Sequence, residues 1–183
     1  MNKELEIKIE VSLDIFIKLE KEISTKGEKL AEKTQEDIYY SPSDESFYDH
    51  GDKCLRIRKE EKEIYLSYKQ IYHERLNDRF IDEYETKIGD FDSMDQILSA
   101  LKFRRDIVVK KHRKEFAYGD KFLIALDEVE GLGHFIEIEN KNEGKSIEQR
   151  NKELVQLAIS LGLDLSMQNE EGYSNMLYKR SKK

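Results

Sequence analysis

The 183-residue sequence has one cysteine, one proline, no tryptophan and no apolar run near the roughly 18 residues that would read as a membrane span. Each scarcity excludes something. A single cysteine, Cys54, rules out an intrachain disulfide and a cysteine-based zinc site, and it suits a reducing, cytoplasmic setting. With Pro42 alone, and no Pro-rich or Gly/Ser-rich tract, nothing marks a linker. A single domain over residues 1–183, without repeats, is therefore expected. The opening MNKELEIKIE alternates charge from its fourth residue and fits neither a signal peptide nor a membrane-spanning helix.

What the sequence has in excess is charge. Lys and Arg number 32 and Asp and Glu 39, a net charge of −7, and charged residues make up 39% of the chain. An ordinary globular domain has roughly 25%. Disorder is not the explanation, because Leu, Ile, Val and Phe supply 49 residues, enough for a core. The net acidity, with a pI near 5.3, excludes a duplex nucleic-acid binder, which needs a basic face to displace phosphate counterions. It leaves room for a concentrated basic site.

Period-two alternation predicts about eight strands: Glu4 to Val11, Lys29 to Tyr40, Cys54 to Lys59, Glu63 to Ile71, Arg79 to Ile88, Arg105 to Phe116, Lys121 to Glu130 and His134 to Asn140. Two short Gly-containing connections, Tyr118-Gly119-Asp120 and Gly131-Leu132-Gly133, read as hairpins. Ser12 opens an amphipathic helix through Phe16, Leu19 and Ile23 that closes at Gly27. Ser93 to Gln96 and Ser146 to Gln149 fit capping boxes, the second opening a helix that stops at Gly162. A short helix is expected from Tyr173 to Arg180. The order reads as α+β with a largely antiparallel sheet.

The charges on these strands recur at spacing two. Glu4, Glu6, Lys8 and Glu10 share one side of the first strand, opposite Leu5, Ile7, Ile9 and Val11. Arg56 and Arg58, Glu83, Glu85 and Lys87, Lys111 and Arg113, and Glu137 and Glu139 form further sets, with Lys69 beside them. One-sided sheets commonly expose such faces to water. If the eight strands instead close into a barrel with helices packed outside, the charges line its lumen, seven acids and seven bases. Such an interior is costly unless the charges pair or bind ions. A polyphosphate with divalent metal satisfies both signs, bases holding phosphates and carboxylates holding hard cations.

The residues also carry a likeness. Glu4-Leu-Glu6-Ile-Lys8 matches the E-x-E-x-K signature of the CYTH superfamily, the triphosphate tunnel enzymes. It is followed by Leu55-Arg56-Ile57-Arg58, Tyr68-Lys69, Glu83-Tyr84-Glu85-Thr86, Lys111-His112-Arg113, the stretch Leu126 to Glu139, and Tyr173-Ser174 with Leu177. Together these span residues 4 to about 177. The Val129-x-Gly131-Leu132-Gly133 stretch and Asp37-Ile38-Tyr39-Tyr40 resemble the class IV adenylate cyclase branch. The sequence departs from the family at Ile81, where members often have arginine, Arg79 being the nearest substitute.

The resemblance implies a tunnel enzyme dependent on Mg²⁺ or Mn²⁺, with ATP converted to cyclic AMP and pyrophosphate, or a triphosphate hydrolysed. A non-catalytic polyphosphate binder is a third reading. Lys8, Arg56, Arg58, Lys69, Lys111 and Arg113 become phosphate ligands by that resemblance, with Glu83 and Glu85 orienting them or joining the metal shell. Glu4, Glu6, Asp127, Glu137 and Glu139 become metal carboxylates, and Glu6, Lys8 and Lys111 the catalytic set. The implied partner is a nucleotide or polyphosphate, with no nucleic acid and no membrane; members are often homodimers. His50, His73, His112 and His134 show no metal-ligand spacing, Cys54 lacks the partner pattern of a nucleophile, and Gly131-Leu132-Gly133 is no phosphate loop. Tyr39, Tyr40 and Tyr173 read as packing residues.

Overall fold

The computed structural model describes residues 5–74, 78–142, 144–169 and 171–182, with the backbone alone at 49–50, 71–74 and 78–81. Eight strands form: β1 (Glu6–Val11), β2 (Glu28–Pro42), β3 (Lys53–Glu60), β4 (Glu63–Glu74), β5 (Asp78–Ile88), β6 (Phe103–Tyr118), β7 (Phe122–Val129) and β8 (Gly133–Asn140). The helices are α1 (Leu13–Lys26), a single turn α2 (Phe47–His50), α3 (Phe91–Ala100), α4 (Ile147–Ser160) and α5 (Tyr173–Ser181), with a 3-10 turn at Leu165–Met167. The strands make one antiparallel sheet in the order β1-β8-β7-β6-β2-β3-β4-β5. Its hydrogen bonding has two ends, β1 and β5, among the described residues. The class is α+β, as the alternation predicts.

The chain divides into two compact units, one of residues 1–33 and 111–171, the other of residues 34–110 and 172–183. In the first, α1 and α4 cover the apolar side of β1, β8, β7 and the end of β6. Phe16, Leu19 and Ile23 of α1 and Leu154 and Ala158 of α4 meet Ile7, Ile9, Phe116, Ile124, Leu126, Ile136 and Ile138. Each such large side chain, once fully buried, contributes on the order of 1.5–3 kcal/mol. In the second, Leu98 of α3 and Phe47 of α2 join Ile38, Tyr40, Leu55 and Ile57. With one face of every strand committed in this way, a register slip of one residue would turn the charged set inward to the helices.

Ser12 caps α1 by accepting from Ile15 N–H, and Ser146 and Gln149 complete a capping box on α4, both as the sequence predicts. Gly27 does end α1, in an extended conformation open to any residue; glycine is required there because a Cβ would lie 2.8 Å from the Ala117 carbonyl oxygen. The start of α3 differs from expectation. Asp90, not Ser93, is its cap, accepting from Ser93 N–H at 2.8 Å and letting Phe91 enter the helix and pack on the second core.

Helix α4 is tied to the end of β8 by polar bonds. Buried Arg150 donates to the Asn140 carbonyl, and Asn140 Nδ2 returns a bond to the Arg150 carbonyl at 3.2 Å. Glu153 then accepts from Lys121, Lys145 and Asn140. Hydrogen bonds from Lys121, Lys145 and Asn140 hold its carboxyl at about 2, below the ordinary 4.5. A carboxylate with a depressed folded-state value stabilises above its unfolded pKa and loses that contribution as pH falls through the folded one. In melts from pH 4.5 to pH 2, Glu153→Gln should therefore lose less melting temperature than the unaltered protein; parallel acid limbs would refute the assignment.

Candidate active site

In the second unit the bases sit on β3. Register places Arg58 beside Asp37 of β2 and Arg56 between Tyr39 of β2 and Ser67 of β4, all on the face away from the apolar core. Arg58 donates from Nε to Asp37 Oδ1 at 2.6 Å and from Nη2 to Oδ2 at 2.7 Å. Arg56 donates from Nε to Ser67 Oγ at 2.8 Å and from Nη1 toward Asp37 Oδ2 at 3.5 Å. Asp37 is only 2% exposed, so two guanidinium groups compensate its buried charge. Lys69 meets Glu83 at 3.1 Å, and Glu85 lies 3.9 Å from Arg56. These two acids are more exposed than the bases they face.

Burial, with the charge of Asp37, pushes the Tyr39 phenol well above its ordinary range, and its neutral hydroxyl meets Arg56. Burial alone would lower Arg56, but Tyr39 and Asp37 outweigh it and raise it, so the guanidinium stays charged. Burial pushes the Cys54 thiol up as well, past the opposing pull of Arg56 and Lys69. A thiol so held is a poor thiolate nucleophile.

The first unit carries a matching arrangement. Asp127 of β7, fully buried, accepts from Arg113 Nε at 2.6 Å and from Arg113 Nη2, while Lys111 Nζ lies 3.5 Å away. Glu137 of β8 accepts from Arg113 Nη2 and is the register partner of buried Lys8 on β1. Glu115 on the same face receives Lys33 at 3.4 Å. The structure thus places Asp127 among the bases rather than among the outer carboxylates. Both lysines are buried as few lysines are, which carboxylates within reach make tolerable.

Glu6 and Glu139 face each other in register across β1 and β8, and Glu139 also receives Lys141 at 2.7 Å. Two directly opposed carboxylates repel unless a cation lies between or beside them. Such a pair suits Mg²⁺, which takes one or two carboxylates and keeps its other positions for water and phosphate oxygen. Among the described residues no group of three or more His, Cys, Asp or Glu forms a metal cage by itself. Glu4 lies outside the described residues, as do the side chains of Ile81, Arg79, His50 and His73. His112 pairs with Glu32 at 3.1 Å and His134 packs on Phe16, so neither joins this face.

The family model for the CYTH domain matches residues 2–173. The chain belongs to the CYTH family. A protein of Methanocaldococcus jannaschii named "Putative adenylate cyclase MJ0240" is 31% identical over 167 residues, covering 90% of this chain and 93% of its own. The PH1819 protein of Pyrococcus horikoshii OT3 superposes with a TM-score of 0.78 at 29% identity, covering 97% of this chain and 99% of its own. A conserved hypothetical protein of Pyrococcus furiosus gives 0.74 at 28% identity, covering 93% and 98%.

Within this CYTH chain, every described base expected at the site falls on a charged strand face: Lys8, Lys111 and Arg113 in one unit, Arg56, Arg58 and Lys69 in the other. Residues to which sequence reading assigned no part in the site hold them. Asp37 and Ser67 fix the arginines of β3, and Tyr39 shields one of them. A signal was present, since Asp37 and Tyr39 alternate with core residues Ile38 and Tyr40. No helix among the described residues is long and apolar enough to cross a membrane.

Proposed function

We propose that this CYTH protein is a metal-dependent phosphoryl-transfer enzyme of the class IV adenylate cyclase type, converting ATP to cyclic AMP and pyrophosphate. The observation that carries this reading is the doubled bracket, two fully or nearly buried aspartates each holding an arginine fork on a strand face rich in further bases. Guanidinium forks held in this way suit paired phosphate oxygens, and lysines act beside them as point charges. The likeness to a relative named for adenylate cyclase supports the reaction. The family match running through both units supports one domain over residues 1–183.

In this reading Lys8, Arg56, Arg58, Lys69, Lys111 and Arg113 bind the triphosphate, and Glu83 and Glu85 orient Lys69 and Arg56. Glu6 and Glu139, with Glu4 and Glu137, would hold Mg²⁺ or Mn²⁺, which when bound supplies positive charge to the phosphates and acidity to the attacking hydroxyl. Asp127 acts beside them as the anchor of Arg113. The ribose 3′ oxygen attacks the α-phosphorus, its proton passing to Glu6 or solvent, and the bond to the bridging oxygen breaks as pyrophosphate leaves. Lys8 and Lys111 hold the charge that accumulates on the phosphoryl oxygens. A cytoplasmic location, by the single cysteine, and a homodimer, by family likeness, belong to the same proposal.

The test is incubation of the purified protein with ATP, or with tripolyphosphate, in Mg²⁺ or Mn²⁺. Cyclic AMP with stoichiometric pyrophosphate is expected. Orthophosphate without cyclic AMP would replace the cyclase by a triphosphatase, and saturable binding without turnover would leave a binder.

A further inference from the structure

Asp37 is a carboxylate with almost no access to water, and a buried charge persists only where its surroundings hold it. It holds both donors on one edge of Arg58, and it approaches the tip of Arg56, whose Nε is fixed separately by Ser67. Two arginines two residues apart on one strand face repel one another, and each long side chain has many rotamers. Bonds at Nε fix the plane of a guanidinium, not merely the place of its charge. Arg58 keeps Nη1 as a donor that Asp37 does not engage. The same pair of atoms, Nε and Nη2, is taken by Asp127 on Arg113 in the other unit, so the device is built twice from different strands.

We infer that Asp37 is a positioning residue for phosphate binding, presetting the guanidinium planes of Arg58 and Arg56 before the polyanion arrives. The inference rests on the triphosphate reading of the site. It differs in sign from simple neutralisation. If Asp37 merely offsets positive charge, removing its charge leaves the bases more attractive and tightens polyanion binding. If it positions them, the same change weakens binding although the face becomes more positive.

Isothermal titration of the folded, full-length chain with inorganic tripolyphosphate separates the two. Asp37→Asn should weaken binding by about tenfold or more, the scale of a misplaced binding group. Arg58→Lys, which leaves Asp37 a cationic partner and conserves the charge, should also weaken it, and Asp37→Asn should add little in that background. Unchanged or tighter binding by Asp37→Asn overturns the assignment while leaving the triphosphate site intact. If Asp37→Asn does not fold, Asp37→Glu decides, since it keeps the charge and shifts the carboxylate by a methylene: unchanged affinity overturns the assignment, and a loss supports it. Absence of saturable tripolyphosphate binding by the unaltered protein overturns the triphosphate reading and the assignment with it.

Discussion

Replacing Arg113 by alanine should lower the stability of the protein by about 3 kcal/mol, the usual cost of removing one partner from a buried ion pair. For a chain of this size that corresponds to a fall in melting temperature of about 6–12 °C. The reason lies in what remains. Asp127 is fully buried and would lose both of its short contacts from Arg113, keeping Lys111 at 3.5 Å as its compensating charge. Glu137 would lose the same guanidinium. The effect belongs to the stranded carboxylates and not to lost packing. Arg113→Met combined with Asp127→Leu and Lys111→Met, which removes all three buried charges together, should therefore recover much of the loss, since apolar groups of similar volume can replace a buried charge cluster at little cost. Thermal melts at neutral pH check both variants; a triple variant as unstable as Arg113→Ala would show that packing, not stranded charge, dominates.

Replacing Arg56 by alanine should do the opposite, sparing the fold and abolishing most of the turnover. Asp37 keeps both bonds from Arg58, while Ser67 and the Tyr39 hydroxyl each lose a partner, at about 1 kcal/mol apiece. The guanidinium itself is the loss that matters to the reaction. Removing one preorganised donor from a developing phosphoryl charge lowers kcat by about 10²–10³-fold. Product formation from ATP and from tripolyphosphate, measured beside the melting temperature, gives the comparison. Turnover unchanged in a folded Arg56→Ala protein would place the chemistry on another part of the molecule.

These contrasting outcomes follow from cross-strand register, which is the part of the architecture that strand-by-strand reading does not contain. Alternation in Glu6 to Val11 or Cys54 to Lys59 shows that charges share a face, because side chains alternate whatever the neighbouring strand is. It does not say that Asp37 lies beside Arg58 or Asp127 beside Arg113, since a buried, doubly bonded aspartate and a solvated one are the same letter. Helix ends were legible where a single residue could cap, as at Ser12 and Ser146. At α3 the Ser93 to Gln96 pattern pointed three residues too late, since Asp90 is the cap and Phe91, already inside the helix, packs on the second core. The turn Phe47–His50 and the 3-10 turn Leu165–Met167 are too short to show a helical period. The two units left no trace because two of their three divisions fall inside β2 and β6, where the chain needs no linker, and the third falls directly before α5.

The pairing of β1 with β8 sets a delay on synthesis. Glu6 and its register partner Glu139 are 133 residues apart, so the first strand waits roughly 7–27 s on the ribosome for its neighbour. For that interval Ile7 and Ile9 have no sheet to enter, and a bare β-prone segment of this kind is an invitation to mispair with other nascent chains. Glu6, Lys8 and Glu10, interleaved with those isoleucines, are gatekeepers against that outcome. The side chains proposed to meet the substrate would thus already serve the polypeptide before any site exists.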